Sequence, residues 1–246
     1  MTDKQRYWLK VGLVVLALGY LVISVVTISF QSSETMCSGL KTIVKDSATL
    51  RFVSKSDVSQ ILDKGGMNPL GVRYDCIDEA QIESLLESQT RIKRAECYKT
   101  PSGTLVVEVR QREPILRVMG SSGNYYIDLE GNVLTVSPDF TAFVPIVTGS
   151  VSKKLAKEDL YEFGLYLHEN PFWKAQIEQI HFESNGKVIL IPRVGNQIIE
   201  MGSLDDYERK LHKLYSLYKN GFNKVGWNCY KKINLSFDNQ AVCTKK

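Results

Sequence analysis

The amino-acid sequence predicts an α+β protein: an N-terminal transmembrane helix, then a β-α-α-β-β domain, then a mixed, mainly antiparallel β domain with helices. Three observations lead there. Residues 11–30, VGLVVLALGYLVISVVTISF, contain no charged side chain. Two helix-start signatures follow at Ser54 and Asp78, ahead of two alternating strands. Beyond residue 112, short apolar runs alternate with glycine-bearing turns, as in a sheet assembled from hairpins.

The apolar run is twenty residues long, and at ~1.5 Å per residue a helix of that length rises ~30 Å, the hydrocarbon thickness of a bilayer. Its apolar character goes all the way round, unlike that of a helix on a globular core. Tyr7 and Trp8 stand at its start as interface anchors. A cleaved signal peptide would have a shorter apolar region and a small-x-small site, and Ile28-Ser29-Phe30-Gln31 offers only a poor one. Lys4, Arg6 and Lys10 precede the run against Asp3 alone. This places residues 1–10 in the cytoplasm by the positive-inside bias, and everything after residue 30 outside.

The whole chain has 246 residues, a formal net charge of +4, five cysteines and three histidines, with 43% hydrophobic and 24% charged residues. Such a composition excludes a disordered chain or a disulfide scaffold. Half of the net charge lies in the first ten residues, so no broad basic face for nucleic acid is expected. In a bacterium the compartment beyond the membrane is the periplasm, which has no nucleotide pool.

Taken in order, Leu40–Val44 reads as a strand, and a helix then starts at Ser54 as N-cap with Asp57 closing a capping box. Val53 and Val58 form its hydrophobic staple, Val58, Ile61 and Leu62 its apolar face, and Gly65-Gly66 its end. The second helix repeats the pattern with Asp78, Gln81 and the staple pair Ile77 and Ile82. Strands at 92–98 and 104–111 pair through the turn Thr100-Pro101-Ser102-Gly103, with Leu105, Val107 and Val109 on one face. Two helices that are each apolar on one side need a sheet to cover, which defines a first domain at about 38–112.

The second domain, 113–246, shows hairpins at 125–136 and 188–201, a helix over about 157–168 and a strand at 177–182. Its last helix is expected to begin at Ser203, with Asp206 in the capping-box position and Leu204, Tyr207, Leu211, Leu214 and Tyr218 as a core stripe. Lys210, Lys213 and Lys219 then read as a solvated face that suits the helix dipole. A closing strand is expected at Ile233–Phe237, followed by the tail Asp238–Lys246.

Signatures of catalysis are sparse. The chain lacks G-x-S-x-G, G-x-G-x-x-G, G-x-x-x-x-G-K-[ST] and H-E-x-x-H. Ser150–Lys153 and Ser216–Lys219 match S-x-x-K, the nucleophile-base pattern of penicillin-binding enzymes, but the partner motifs S-D-N and K-T-G are missing. His168, His181 and His212 are too scattered for a metal site, and Asp128-Leu129-Glu130-Gly131 reads as a turn and not a calcium loop. No cofactor, metal, catalytic residue or small-molecule substrate is expected. Cys76 with Cys97, or Cys229 with Cys243, could pair in an oxidising compartment, and spacing assigns neither.

The order of segments resembles the FtsQ/DivIB family of bacterial division proteins, in which a short tail and single span precede a POTRA domain and a β domain. The residues that carry this are Gln111-Arg112-Glu113-Pro114, Tyr126-Ile127-Asp128 with Gly131, Pro145, Trp173 and the stretch Ile233 to Val242. The resemblance implies a non-enzymatic scaffold at the inner-membrane division site that binds an FtsB/FtsL-like pair and helps regulate septal peptidoglycan synthesis. It also implies partner binding by strand addition along Phe237, Asp238, Asn239, Gln240, Ala241 and Val242. The family pattern has a tryptophan shortly after, where this chain reads Cys243-Thr244-Lys245-Lys246. A POTRA-bearing component of secretion or outer-membrane assembly, and an anchored serine-lysine enzyme, stand as alternatives.

Overall fold

The computed structural model describes residues 8, 12–24, 35–222 and 226–246. Residues 12–24 are helical and leave Leu13, Leu16, Tyr20 and Ile23 exposed. Thirteen helical residues rise only about 20 Å. Among the described residues no helix is long and apolar enough to cross a membrane. The predicted tail 1–10, apart from Trp8, and residues 11 and 25–30 of the predicted span lie outside the described residues.

Two compact units make up the chain: Met1–Lys45 with Val53–Arg110, and Asp46–Phe52 with Gln111–Lys246. In the first, strands β1 (Gly39–Val44), β2 (Ile92–Lys99) and β3 (Thr104–Gln111) form a sheet of order β1-β3-β2. β1 lies parallel to β3, with Leu40 beside Leu105 and Val44 beside Val109. Helices α1 (Lys55–Lys64) and α2 (Glu79–Glu87) pack on β1 and β2 respectively and on each other.

Both helices start as the capping rules require. Ser54 Oγ accepts from Asp57 N at 3.1 Å while Asp57 Oδ2 accepts from Ser54 N at 2.8 Å. Asp78 Oδ1 accepts from Gln81 N at 3.1 Å. Each pair satisfies amide donors that the first helical turn leaves open. Val58, Leu62, Ile82 and Leu86 are buried from the helices, as are Leu105, Val107 and Val109 from the sheet.

The second unit is built on a nine-stranded sheet with the order β12-β11-β10-β9-β8-β7-β4-β5-β6. Its strands are β4 (Pro114–Gly120), β5 (Gly123–Asp128), β6 (Val133–Leu134), β7 (Ile146–Gly149), β8 (Ile177–Phe182), β9 (Val188–Pro192), β10 (Ile198–Gly202), β11 (Tyr230–Asn234) and β12 (Val242–Lys245). Five neighbouring pairs are antiparallel and three parallel, in keeping with a mixed, mainly antiparallel sheet. Helices α3 (Lys153–Lys157), α4 (Asp159–Glu169), α5 (Pro171–Gln176) and α6 (Tyr207–Leu217) complete the unit. Leu160, Phe163, Leu167, Trp173, Leu211, Leu214 and Tyr218 join the sheet residues in one core.

Helix α4 lies close over β4: a Cβ on Gly164 would stand 2.4 Å from Leu116 Cδ1. The segment 46–52 belongs to this unit through Phe52, which is 1% exposed and meets Tyr126 and Phe140 edge-on at 5.1 and 5.0 Å. Gln111 Nε2 donates to Leu50 O at 2.9 Å.

Three expectations need correction. The last helix starts at Tyr207 and not Ser203, and its N-cap Asp206 takes a left-handed conformation, φ 51°, without a side-chain cap. The reason is that Ser203 is engaged elsewhere: Lys210 Nζ lies 2.9 Å from its carbonyl and 3.4 Å from its hydroxyl. Lys210 is accordingly only 7% exposed, so the solvated-face reading fails for it. The closing strand ends at Asn234, short of Phe237, and β12 forms within the expected tail.

The turn after β5 is held by one carboxylate. Asp128 Oδ1 accepts from Glu130 N at 2.9 Å and Asn132 N at 2.7 Å, while Oδ2 accepts from Arg112 Nη1 at 3.0 Å. Asp128 is 2% exposed, so truncation removes the shared acceptor of both turn amides and leaves Arg112 with Glu130 Oε2, at 2.9 Å, as its remaining carboxylate. Asp128→Ala is expected to destabilise the second unit by about 1–3 kcal/mol, the range for leaving hydrogen-bond donors without their acceptor, read as a lowered denaturation midpoint.

Candidate docking edge

The C-terminal end of the large sheet is assembled in three steps. After β10, helix α6 and the turn Tyr218–Phe222 carry the chain over the sheet so that β11 returns parallel to β10, with Ile198 beside Lys232 and Glu200 beside Asn234. The register is reinforced by Lys232 Nζ on Glu200 Oε1 at 2.7 Å and by Leu235 N donating to Glu200 O at 2.8 Å. Aromatic rings support this return: Phe222 stacks on Tyr230 at 5.6 Å, and Trp227 meets Tyr218 at 4.9 Å and Phe222 at 5.4 Å. The chain then turns back, and β12 pairs antiparallel to β11, with Asn234 beside Val242 and Ile233 beside Cys243.

β12 is the terminal strand of the sheet order. Cys243 is half-buried against the core, whereas Val242, Thr244 and Lys245 are exposed. Among the described residues no strand lies beyond it, so its outer row of backbone groups forms the border of the sheet.

Of the residues expected to bind a partner, Val242 is the first of β12. Phe237, Asp238, Asn239, Gln240 and Ala241 instead form the connection between β11 and β12. Phe237 is 48% exposed, and Asp238, Asn239 and Gln240 are exposed as well. Cys243, Thr244 and Lys245, which complete the edge, fall within the expected tail. Four residues, VCTK, carry neither alternation nor a β-branched run long enough to mark a strand.

Helix α6 grips this connection. Lys213 Nζ donates to Leu235 O at 3.1 Å and also to Phe237 O. Arg209 Nη2 pairs with Asp238 Oδ1 at 2.9 Å and with Asp206 Oδ2 at 3.1 Å. Burial, reinforced by nearby Arg209, pulls the Lys213 ammonium below the ordinary lysine pKa. The Asp238 carboxylate raises that of Arg209.

Beside the same helix an open groove of about 760 Å³ is lined by Asp159, Glu162, Asp205, Asp206 and Glu208 together with Tyr166 and Tyr207. Arg209 and His212 also line it, and the excess of carboxylates disfavours phosphate-bearing ligands. Among the described residues no group of three His, Cys, Asp or Glu is placed to hold a metal ion. His181 Nδ1 hydrogen-bonds Thr148 Oγ1 at 2.9 Å across β7 and β8, and His168 lies 3.6 Å from Glu113. Ser150 follows β7, its amide donating to Phe182 O at 2.9 Å, and Lys153 opens α3, where Ser152 serves as N-cap. Ser216 lies in α6 and Lys219 in the turn that follows it.

Comparison with known proteins gives two matches. Residues 113–244 match the family model described as FtsQ/DivIB, C-terminal related, and residues 35–110 match the POTRA-like domain. No curated protein matches the chain. The first match spans more than half of the sequence, so the protein belongs to the FtsQ/DivIB family of cell-division proteins, a family that is generally non-enzymatic. Its fold is a POTRA-like domain followed by a large mixed sheet.

Cys37, Cys76, Cys97 and Cys243 carry free thiols. The Cys97 thiol is held in its protonated form: burial first, then the Glu83 and Glu79 carboxylates, push its pKa up to about 12. Because only the thiolate attacks, alkylation of Cys97 at pH 8 is expected to run at least about a hundredfold slower than that of exposed Cys76 and Cys229, read by peptide mass mapping.

Proposed function

We propose that this chain is an anchored, non-enzymatic division scaffold that captures an FtsB/FtsL-like complex by strand addition and thereby helps regulate septal peptidoglycan synthesis. In this reading residues 11–30 span the bacterial inner membrane, 1–10 lie in the cytoplasm, and the domains 38–112 and 113–246 stand in the periplasm at the division site. The exposed apolar side chains of helix 12–24 support the anchor, because an apolar surface of that extent is not left in water.

The observation that carries the docking reading is the terminal position of β12 in the sheet of a family member. The partner strand would lie along Val242–Lys245, with Phe237, Asp238, Asn239, Gln240 and Ala241 forming the approach and Phe237 offering an exposed ring. Backbone hydrogen bonds would supply the affinity, and the alternating exposed side chains Val242 and Thr244 the specificity. Lys245 on the edge disfavours indiscriminate pairing with other strands.

The test is calorimetric titration of residues 35–246, and of the same fragment ending at Ala241, with the FtsB-like ectodomain of the same organism. Binding by the longer fragment that weakens at least about tenfold in the shorter one, while the thermal transition survives, is the expected result. Equal binding by both fragments overturns docking on β12. A thermal transition lost with the truncation would instead place β12 in the structural core of the sheet.

A further inference from the structure

The connection between β11 and β12 has little apolar burial to hold it. From Ser236 to Gln240 every side chain is exposed, and the next residue packed on the core is Ala241. What reaches it from the rest of the unit is the basic face of α6. Lys213 Nζ donates to two of its carbonyls, Leu235 O and Phe237 O, and Arg209 holds the Asp238 carboxylate at 2.9 Å. Arg209 and Lys213 lie four residues apart on one helical face and therefore meet successive points of the connection.

The two tethers are unequal. Arg209 and Asp238 are both well exposed, with side chains 49% and 78% accessible, and such a surface pair alone contributes little. Lys213 is half-buried, and its charge-assisted bonds go to backbone carbonyls that have no strand partner. Lys213 is thus the stronger tether, and Arg209 fixes the connection one residue further along.

We infer that Arg209 and Lys213 are positioning residues: they hold the β11–β12 connection against α6 and so keep the edge strand Val242–Lys245 ordered for the incoming strand of a partner. The inference rests on the docking reading above and deepens it. A strand already laid in place loses less conformational freedom on binding than one that must order at the same moment. The partner segment it serves is an extended peptide with a free backbone edge.

Hydrogen exchange on the full chain in detergent micelles, followed by mass spectrometry of peptides over 241–246, tests the latch without any partner. In Lys213→Met, and in Arg209→Ala combined with it, exchange over β12 is expected to rise about tenfold while β9 and β10 stay as they were. Lys213→Arg, which keeps the donors, is expected to restore protection. The affinity of the FtsB-like ectodomain should fall about tenfold in the first two variants and recover in the third. Unchanged β12 exchange overturns the inference, as does lost protection with undiminished affinity. If the unaltered chain does not bind the ectodomain, the docking reading falls, and the exchange comparison still decides whether α6 orders β12.

Discussion

The carboxylate of Asp128 accepts two backbone amides of its own turn and the guanidinium of Arg112 from the segment that leads into the second unit. It thereby fixes the return of β5 toward β6 and the entry of β4 with one side chain that is almost wholly out of water. β4 then sits between β5 and β7, and every later strand is laid down on the side that β7 begins. A slip in this turn would move β5 by one residue against β4 and turn buried Tyr126 toward the opposite face. The Asp128 cluster is therefore the register mark for a sheet of nine strands.

At the far end the same sheet is finished by a different device. Most neighbours in it are joined by short antiparallel turns, but β11 comes back parallel to β10, which requires a crossover long enough to contain a helix. That crossover is α6, and its position above the last strands places Arg209 and Lys213 over the connection to β12. The rings of Phe222 and Tyr230, stacked on each other, and Trp227, edge-on to Phe222, support the return. A sheet closed by a hairpin alone would present an edge with nothing above it. In this family member the crossover supplies both the edge and its support.

Local chemistry made much of this readable in advance. The N-caps at Ser54 and Asp78 were visible because both partners of each cap lie within three residues, and the 188–201 hairpin because its turn residues are contiguous. Elements that depend on distant partners were hidden. β4 opens with Pro114, which reads as a break, yet it pairs with β7 some thirty residues on. β7 and β12 have four residues each, too few for periodicity to register. The alternation of Ile233, Leu235 and Phe237 points to a strand running on to Phe237, whereas β11 stops at Asn234. Lys210 and Lys213 were misread for a deeper reason: a lysine on a helix is usually solvated, and only the backbone carbonyls that tertiary folding brings to it reveal another use.

From β7 to β12 the order of strands along the chain is also their order across the sheet. A polypeptide delivered N-terminus first can therefore add each strand to a border that already exists, without threading one between two others. The border travels outward as synthesis proceeds, and at every stage it is a different strand that lies open. β12 is the last of them to arrive. The outermost border is thus laid down only after the other strands of the sheet are in place, so β12 meets a surface that the earlier strands have already built.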